Sequence, residues 1–556
     1  MRKSLSFVGL ASLLLIIAFM ITMNFFKFMP EYPIYTLEKG WTVTYHNQQY
    51  VNTNLEHMSD ELGSSFSRGD IITLNHAQPL LPSDAPFPYL FLKTQFCAYE
   101  VFLDNELIYD RYMDRLSGEG YVGMGYSTVP LGDNYAGKRL TIKLYVTENS
   151  TRADIISPMI GSYDDLYRQV LHSALYAFFT SIFMIVFGLV FLIISLLFYI
   201  QSSDVSTQIL SSILTTVVGV WMISSFDIID FVIASDKATF IEYCCVYAIT
   251  PLIYMIIYNL HRRLNNTALS VMAAGTTCFS LTFVLLHLLN IVHINHFEFV
   301  FYGISSVGVI ILIAYVYFDI KSKSNSASQE ILMLGVVVLT ISLMIYAMCG
   351  MFTHLADYRQ SIIMQAVIPT GAIFFVITQL LNYFIFMTRS FAQRKEYAAL
   401  SKIAYVDNLT GLPNRASCDR LLMEYDESQD DFCLISMDLN GLKEVNDNSG
   451  HPAGDRLLKS FSAALSDAFK GKGTAHRVGG DEFLVLIRHI DKGELDQLLK
   501  DFTKSLKELD KDDPDLNHSV SFGYAFRSET EDKDTHSVSV LADKRMYENK
   551  KYYHSH

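Results

Sequence analysis

Long apolar stretches dominate the first 390 residues of the chain. Each is about as long as a helix that crosses the roughly 30 Å hydrocarbon core of a bilayer at about 1.5 Å per residue. The pattern predicts eight membrane spans: an anchor within residues 1–27, and a bundle of seven helices within 169–388. The apolar stretches run from Phe7 to Phe26 and near 172–200, 206–226, 239–259, 267–290, 299–318, 330–352 and 362–388.

The first apolar stretch has a competing interpretation as a cleaved signal peptide. It is longer than a usual signal core, and no pair of small residues suited to cleavage precedes Lys27. The sequence therefore favours an uncleaved anchor.

Residues 28–168 show a different pattern, in which apolar and polar positions alternate. The segments Trp41–Tyr45, Ala98–Leu103 and Leu140–Val146 have the period of two that is typical of half-buried strands, and Asp104-Asn105 supplies a turn. The pattern predicts a β-rich domain, assembled as an antiparallel β-sandwich. Its aromatic residues are more often core than ligand-stacking groups at this spacing, so the sequence assigns no ligand to it.

Composition and charge support this division of the chain. Hydrophobic residues make up 51% of the chain and charged residues 18%, which is too apolar for a soluble protein of this length. Residues 401–556 hold 21 Lys and Arg and 29 Asp and Glu, half of all the charged residues, and so form a soluble part. The net charge of −14 argues against nucleic acid as a partner, because phosphate backbones select basic surfaces.

The distribution of Lys and Arg among the short loops predicts the orientation in the membrane. With the N-terminus inside, the outer short loops hold only Lys237 and Arg359. Residues 28–168 are then extracytoplasmic and the acidic C-terminal part is cytoplasmic. The inner segments hold Arg2, Lys3, Arg262, Arg263, Lys321, Lys323, Arg389, Arg394 and Lys395.

Two sets of polar residues fall near the predicted outer membrane face. Acidic groups in hydrocarbon are costly, so the simplest interpretation places the three acidic residues in the membrane interface, and a signal-sensing cluster is the alternative. The three histidines are interpreted as loop-exposed, with a metal or pH sensor as the alternative. The two sets are Asp227, Asp230 and Glu242, and His287, His293 and His296.

The C-terminal part begins with a polar, helix-favouring connector at 389–405. A buried strand at Phe432–Met437 then ends at Asp438, and a glycine turn later presents Asp481 and Glu482. The two glycines, which permit positive φ, predict a hairpin that brings these carboxylates beside Asp438. Such carboxylates repel unless a cation joins them, and Mg²⁺ suits them together with substrate phosphates. Nucleotidyl transfer is the chemistry that this set favours, and a solvated acidic hairpin is the alternative.

The region from about Tyr405 to Lys550 resembles the GGDEF family of diguanylate cyclases through five ordered blocks and a C-terminal match. The resemblance implies an α+β, nucleotidyl-cyclase-like domain at 406–556 that condenses two GTP molecules into cyclic di-GMP and pyrophosphate. Two domains must face each other, which implies a homodimer. The matching segments are Asp407–Arg415, Asp438–Asp447, Gly450–Asp455, Gly479–Phe483 and Ser519–Ala525, with Ala542, Asp543, Tyr547 and Lys550 following.

The resemblance also implies residue roles. Asp438, the carbonyl of Leu439 and Asp481 match the family's Mg²⁺ ligands. Asp481 also matches the proposed base, with Glu482 assisting. Lys443 and Lys550 match phosphate contacts. The substrate-binding positions that read or surround the guanine are Asn446, His451 and Asp455.

Two departures from the family accompany these matches. The family's product-inhibition R-x-x-D falls on Lys470 and Gly473, which makes that feedback doubtful, and a C-terminal Gly-Arg pair is replaced by Tyr553-His554.

The outer domain and seven spans resemble bacterial seven-transmembrane receptors with diverse intracellular signalling modules. This implies a multi-pass protein of the bacterial inner membrane, in contact with lipid, whose outer domain senses an unknown ligand. Two alternatives remain: a catalytically inactive GGDEF-like receptor that binds a nucleotide or a partner, and a transporter with a regulatory tail. The scarcity of charge at mid-membrane depth disfavours the transporter.

Overall fold

The computed structural model describes residues 25–116, 120–199, 205–260, 267–322, 327–352, 362–428, 430–513 and 516–555, with Leu14, Ile17 and Ile21. The predicted first span at Phe7–Phe26 lies almost entirely outside the described residues. The chain divides into two compact units, Met1–Met387 and Thr388–His556.

The first unit begins with two large antiparallel sheets and one small one. The four-stranded sheet has the order β1 (Tyr35–Thr36), β12 (Met159–Ser162), β6 (Pro88–Gln95) and β9 (Met124–Pro130). The six-stranded sheet has the order β3 (Gln48–Thr53), β2 (Trp41–Tyr45), β5 (Ile71–His76), β10 (Leu140–Val146), β7 (Cys97–Leu103) and β8 (Glu106–Arg111). The small sheet pairs β4 (Ser65–Phe66) with β11 (Thr151–Arg152).

The alternating pattern in the sequence correctly predicted the strands of this region. The predicted strand at Trp41–Tyr45 is β2, the one at Leu140–Val146 is β10, and Ala98–Leu103 lies within β7. Asp104 and Asn105 turn the chain from β7 into β8 with φ of 47° and 71°, the left-handed conformation that tight hairpins require.

Buried side chains of both large sheets form one hydrophobic cluster. Val43 and Leu74 belong to the six-stranded sheet, and Leu90 and Ile160 belong to the four-stranded sheet. Trp41 is also completely buried, so it is a core residue as expected and is not available to stack on a ligand.

Helices form the rest of the first unit. Seven of the described helices are long and apolar enough to cross a membrane, which confirms the seven later apolar stretches as helices. The helices are α1 (Tyr163–Ser173), α2 (Leu175–Tyr199), α3 (Ser206–Ser225), α4 (Ser235–Leu260), α5 (Thr267–Leu288), α6 (Glu298–Ser322), α7 (Ala327–Phe352) and α8 (Ile362–Tyr405).

The loop between α3 and α4 packs against the β-rich region. Asp227 forms a 2.5 Å ion pair with Lys93 of β6, and each side chain is 6% exposed. Asp230 accepts a hydrogen bond from the backbone N–H of Tyr126 (3.1 Å). Burial and the neighbouring Asp227 carboxylate raise the pKa of Asp230 well above its usual range. The placement of Asp227 and Asp230 in the membrane interface is therefore wrong, because protein atoms surround them.

The remaining polar residues near this face differ in how far protein atoms bury them. Glu242 is buried within α4. His293, in the loop between α5 and α6, forms a hydrogen bond with the Glu148 carboxylate of the β-rich region, and its side chain is only 12% exposed, so its prediction as a loop-exposed histidine is wrong. His296 is exposed as predicted. Among the described residues, no group of three or more His, Cys, Asp and Glu side chains could hold a metal ion.

The second unit contains a four-stranded antiparallel sheet with the order β14 (Gly473–Arg477), β15 (Glu482–Arg488), β13 (Phe432–Leu439) and β16 (Val520–Phe526). Its helices are α9 (Arg415–Ser428), α10 (Leu442–Ser449), α11 (His451–Ala468), α12 (Lys492–Asp512) and α13 (Thr535–Ser555). The two hydrophobic clusters of this unit contain alternate residues of β13, whose side chains point to opposite faces of the sheet. Both faces of the sheet are therefore covered.

The predicted connector at 389–405 is the last part of α8, which runs without a break from Ile362 to Tyr405. The division of the chain into two units falls within this helix, between Met387 and Thr388, one residue before the boundary predicted from the polar composition.

Candidate active site

The site is built around the end of β13. All eight residues of this strand are buried, which explains why the sequence shows an apolar run there. Asp438 is the one charged residue of this strand, and it is only 7% exposed. It lies opposite Glu482 of β15 and opposite Ser521 of β16 in antiparallel register. The predicted proximity of Asp438 and Glu482 is thus a consequence of strand pairing.

The glycine turn that precedes β15 closes against the same strand end. The backbone N–H of Leu439 donates a hydrogen bond to the carbonyl oxygen of Asp481 (2.9 Å), which holds the turn beside Asp438. A Cβ atom on Gly479 would lie 2.5 Å from a carboxylate oxygen of Glu482 and 3.1 Å from its Cβ, so a larger residue there would displace the Glu482 side chain. The expected positive φ is not observed: neither Gly479 nor Gly480 adopts the left-handed conformation.

Lys550 reaches the site from α13. This helix packs very closely on β16, where a Cβ atom on Gly523 would lie 2.1 Å from the backbone nitrogen of Met546. The close approach places the Lys550 ammonium 2.6 Å from a carboxylate oxygen of Asp438. The structure thus joins a predicted phosphate-binding lysine to a predicted metal ligand.

The other predicted substrate-binding residues lie on α10 and α11. Lys443 is the second residue of α10, after Gly441 with φ of 74°, and is exposed. Asn446 packs on α11 so closely that a Cβ atom on Gly454 would lie 2.1 Å from its side-chain oxygen.

His451 and Asp455 lie in the first two turns of α11, and both are exposed. The structure therefore groups Asn446 with the start of α11, whereas Lys443, His451 and Asp455 project towards solvent without joining Asp438.

The oxygen donors at the strand end are of the type that a hard divalent cation prefers. Mg²⁺ is bound through one or two carboxylates and keeps waters and substrate phosphate oxygens among its ligands. Asp438, Asp481 and the carbonyl of Leu439 stay the predicted ligands. Among the described residues, no group of three or more His, Cys, Asp and Glu side chains could hold a metal ion, so a cation here would depend on one or two carboxylates, the carbonyl oxygen and substrate phosphates.

Arg477 is a residue of the site whose role the sequence analysis missed. It is the last residue of β14, and its guanidinium donates to the carbonyl oxygen of Gly480 (2.8 Å) and to the carboxylate of Asp407 (2.9 Å). Burial alone would raise the pKa of Asp407, but hydrogen bonds from Thr410 and Arg477 hold it below its usual value. Arg477 thus fixes the glycine turn to the N-terminal turn at Asp407–Arg415.

Asn440 is a second residue that sequence reasoning did not single out for a role. Its amide donates to the hydroxyl of Ser519, and its side-chain oxygen accepts from the hydroxyl of Ser521, both at 3.0 Å. These bonds fix the chain where it leaves β13. Position inside a matching motif was the only signal in the sequence for Asp407 and Asn440, and Arg477 lies two residues before the matching segment Gly479–Phe483.

We expect the Asp407–Arg477 link to stabilise this unit in a pH-dependent way. Asp407→Asn should lower the free energy of unfolding of residues 388–556 by about 1–2 kcal/mol at pH 7. Because the folded-state pKa of Asp407 is depressed, the stabilisation is present above the unfolded-state pKa of about 3.9 and is lost as the pH falls below it. Urea denaturation of wild type and variant should show a difference that narrows between pH 5 and pH 3. The exposed Asp419→Asn serves as the matched control, and an equal loss there would contradict the assignment.

The two departures from the family lie at the turn before β14 and near the C-terminus. Lys470 and Gly473 flank the turn between α11 and β14, where Gly471 has φ of 75°. The side chains of Tyr553 and His554 lie outside the described residues. The loss of product inhibition and of a C-terminal contact stay predictions.

Comparison with known proteins shows what the C-terminal part of the chain is similar to. A family model described as diguanylate cyclase, GGDEF domain, matches residues 404–555. The probable diguanylate cyclase DgcT of Escherichia coli K12 is 28% identical over 181 residues, which cover 32% of this chain and 39% of that protein. The diguanylate cyclase DgcS of Shewanella oneidensis is 35% identical over 97 residues, 17% of this chain and 33% of that protein. The chain thus spans less than half the length of either relative.

Among solved structures, the GGDEF domain of DgcB from Caulobacter crescentus in complex with c-di-GMP is 26% identical. It aligns with 27% of this chain and 91% of that chain, with a TM-score of 0.24. The ordered motifs and the family match identify residues 404–555 as a GGDEF domain of the diguanylate cyclase family, on a chain whose preceding part has seven helices able to span a membrane.

Proposed function

We propose that the protein is a signal-responsive membrane diguanylate cyclase that condenses two GTP molecules into cyclic di-GMP and pyrophosphate. The observation that supports this best is the strand register that sets Asp438 opposite Glu482, with Asp481 bonded to the backbone one residue beyond Asp438. Among the described residues, the side-chain partner of Asp438 at this strand end is Lys550. A domain used only as a scaffold has no need to bury Asp438 at a strand end, where desolvation is costly.

Each proposed residue has a distinct task. Asp438, Asp481 and the Leu439 carbonyl hold Mg²⁺, which when bound neutralises the triphosphate and stabilises charge that develops at phosphorus. Asp481, with Glu482 beside it, accepts the proton of the attacking 3′-hydroxyl.

Lys550 neutralises Asp438 until substrate arrives and then lies near enough to contact a phosphate oxygen, and Lys443 supplies a second positive charge. Asn446 and Asp455 accept from the N1–H and N2–H₂ donors of guanine, with His451 at the edge of the substrate, and adenine lacks that pair of donors.

Catalysis in this proposal requires two domains. One domain holds one GTP, so the 3′-hydroxyl of each nucleotide must reach the α-phosphate of the nucleotide in a second copy of the chain. Holding two reactants in this geometry supplies much of the rate enhancement. A homodimer that faces its two half-sites towards each other is therefore the active form.

The predicted orientation in the inner membrane is supported by contacts within the first unit. The charge pattern places the loop between α3 and α4 and the loop between α5 and α6 outside, together with residues 28–168. These two loops contact the β-rich region, through Asp227 with Lys93 and through His293 with Glu148. A ligand that alters the β-rich region would therefore act directly on the bundle.

The experiment that tests the function is a cyclase assay. The full-length protein in lipid nanodiscs and residues 388–556 fused to a dimerising helix are incubated with GTP and Mg²⁺, and cyclic di-GMP is quantified by mass spectrometry. We expect product from GTP and none from ATP. No product from either preparation, with GTP binding retained, would favour the inactive receptor instead.

A further inference from the structure

The helical bundle contains a partly open cavity that none of the functions above uses. It has a volume of about 110 Å³ and lies between α3, α4, α6 and α7. This approaches the roughly 150 Å³ of an apolar protein cavity that admits benzene. Its wall contains no charged residue and is mostly aliphatic and aromatic. Its polar members are Trp221, Tyr254, the hydroxyl pair Thr250–Ser305 (3.0 Å apart), Tyr302, Ser306, Thr340 and Tyr346.

Two polar groups in the wall have no hydrogen-bond partner among the described residues. They are the indole Nε1–H of Trp221 and the hydroxyl of Tyr254, and each residue is only 2% exposed. Buried donors are nearly always paired, and an unpaired one costs free energy. Trp221 can only donate, so only an acceptor atom satisfies it.

From these observations we propose that the cavity is a binding site for a small, uncharged, lipophilic molecule with a hydrogen-bond acceptor such as an ether or carbonyl oxygen. The uncharged wall excludes ions, nucleotides and charged headgroups, because an unpaired charge is costly at this depth. A hydrocarbon tail would fill the volume but leave the indole unpaired. The site lies within the bundle and is separate from the β-rich domain, so it gives the protein a second input that arrives through the membrane.

Trp221 itself provides the measurement. The chain has two tryptophans, so Trp41→Phe leaves Trp221 as the only one. The full-length variant in nanodiscs is titrated with tetrahydropyran, or with cyclohexane, which has the same ring size but no acceptor. We expect a saturable red shift of Trp221 emission with tetrahydropyran and binding at least tenfold weaker for cyclohexane.

Two further variants locate the response. Ala347→Leu fills the cavity and should abolish the shift, whereas Val307→Leu, at a position of α6 that is 55% exposed and outside the cavity wall, should leave it unchanged. If Trp41→Phe impairs folding, the melting temperature of the wild type with each compound gives the same comparison.

Equal effects of the two compounds, no effect of either, or a shift that persists in Ala347→Leu would each overturn the proposal.

Discussion

Replacing Asp481 by asparagine is expected to abolish cyclic di-GMP synthesis, with a loss of at least about 10²–10³-fold in kcat. The change keeps the size of the side chain and the backbone bond from Leu439 to residue 481, but removes the charge needed to hold Mg²⁺ and to accept a proton. Initial rates of product formation by full-length protein at saturating GTP provide the measurement. The melting temperature should stay within a degree or two of wild type.

The control for this variant is Asp447→Asn, which removes a carboxylate from the exposed face of α10 within the same motif. It should retain near wild-type activity because it lies outside the proposed metal site. Equal activity of Asp481→Asn and wild type would contradict the proposed chemistry, whereas a large loss in both variants would point to a general effect of surface charge.

Replacing Asp227 by alanine is expected to destabilise the contact between the β-rich region and the bundle by about 3–5 kcal/mol, because it removes the carboxylate that lies 2.5 Å from the buried Lys93 ammonium. The measurable result is faster proteolysis of residues 28–168 in nanodiscs and a lower melting temperature. The loss arises from desolvation of the remaining charge more than from the attraction within the pair.

The double variant Lys93→Met/Asp227→Leu separates these two causes. It removes both charges and keeps the volume, so it should restore most of the lost stability. The solvent-exposed pair Lys138–Glu106, at 3.7 Å, is the matched control, and Glu106→Ala should cost no more than about 1 kcal/mol. Equal effects of Asp227→Ala and Glu106→Ala would show that burial does not set the strength of the first pair.

The GGDEF domain was largely predictable from the sequence because its information is local. The apolar run of β13 ends at Asp438, and the glycine turn lies next to β15, so strand periodicity alone brings the carboxylates together. The prediction of positive φ for Gly479 and Gly480 was wrong, because the turn between two short strands can also form through close backbone packing. The role of Arg477 was missed because its partner, Asp407, lies 70 residues earlier and no periodicity connects the two.

Less of the first unit could be predicted from the sequence. Span lengths and charge asymmetry follow from composition, and both could be predicted. The environment of Asp227, Asp230 and His293 could not, because whether a polar group near a membrane face meets lipid, water or protein depends on what folds over it. Residues 28–168 fold over these groups. The contact between Lys93 and Asp227, for example, joins segments more than 100 positions apart.

The sequence alone therefore determined which stretches form long apolar helices, where several of the strands lie, and that the β13 strand ends at Asp438, because each property follows from the order of neighbouring residues. Only the tertiary structure decided that Lys550 meets Asp438, that Lys93 is buried on Asp227, and that Trp221 borders a cavity without a partner. Those are distances between residues far apart in the chain, and packing of side chains sets them.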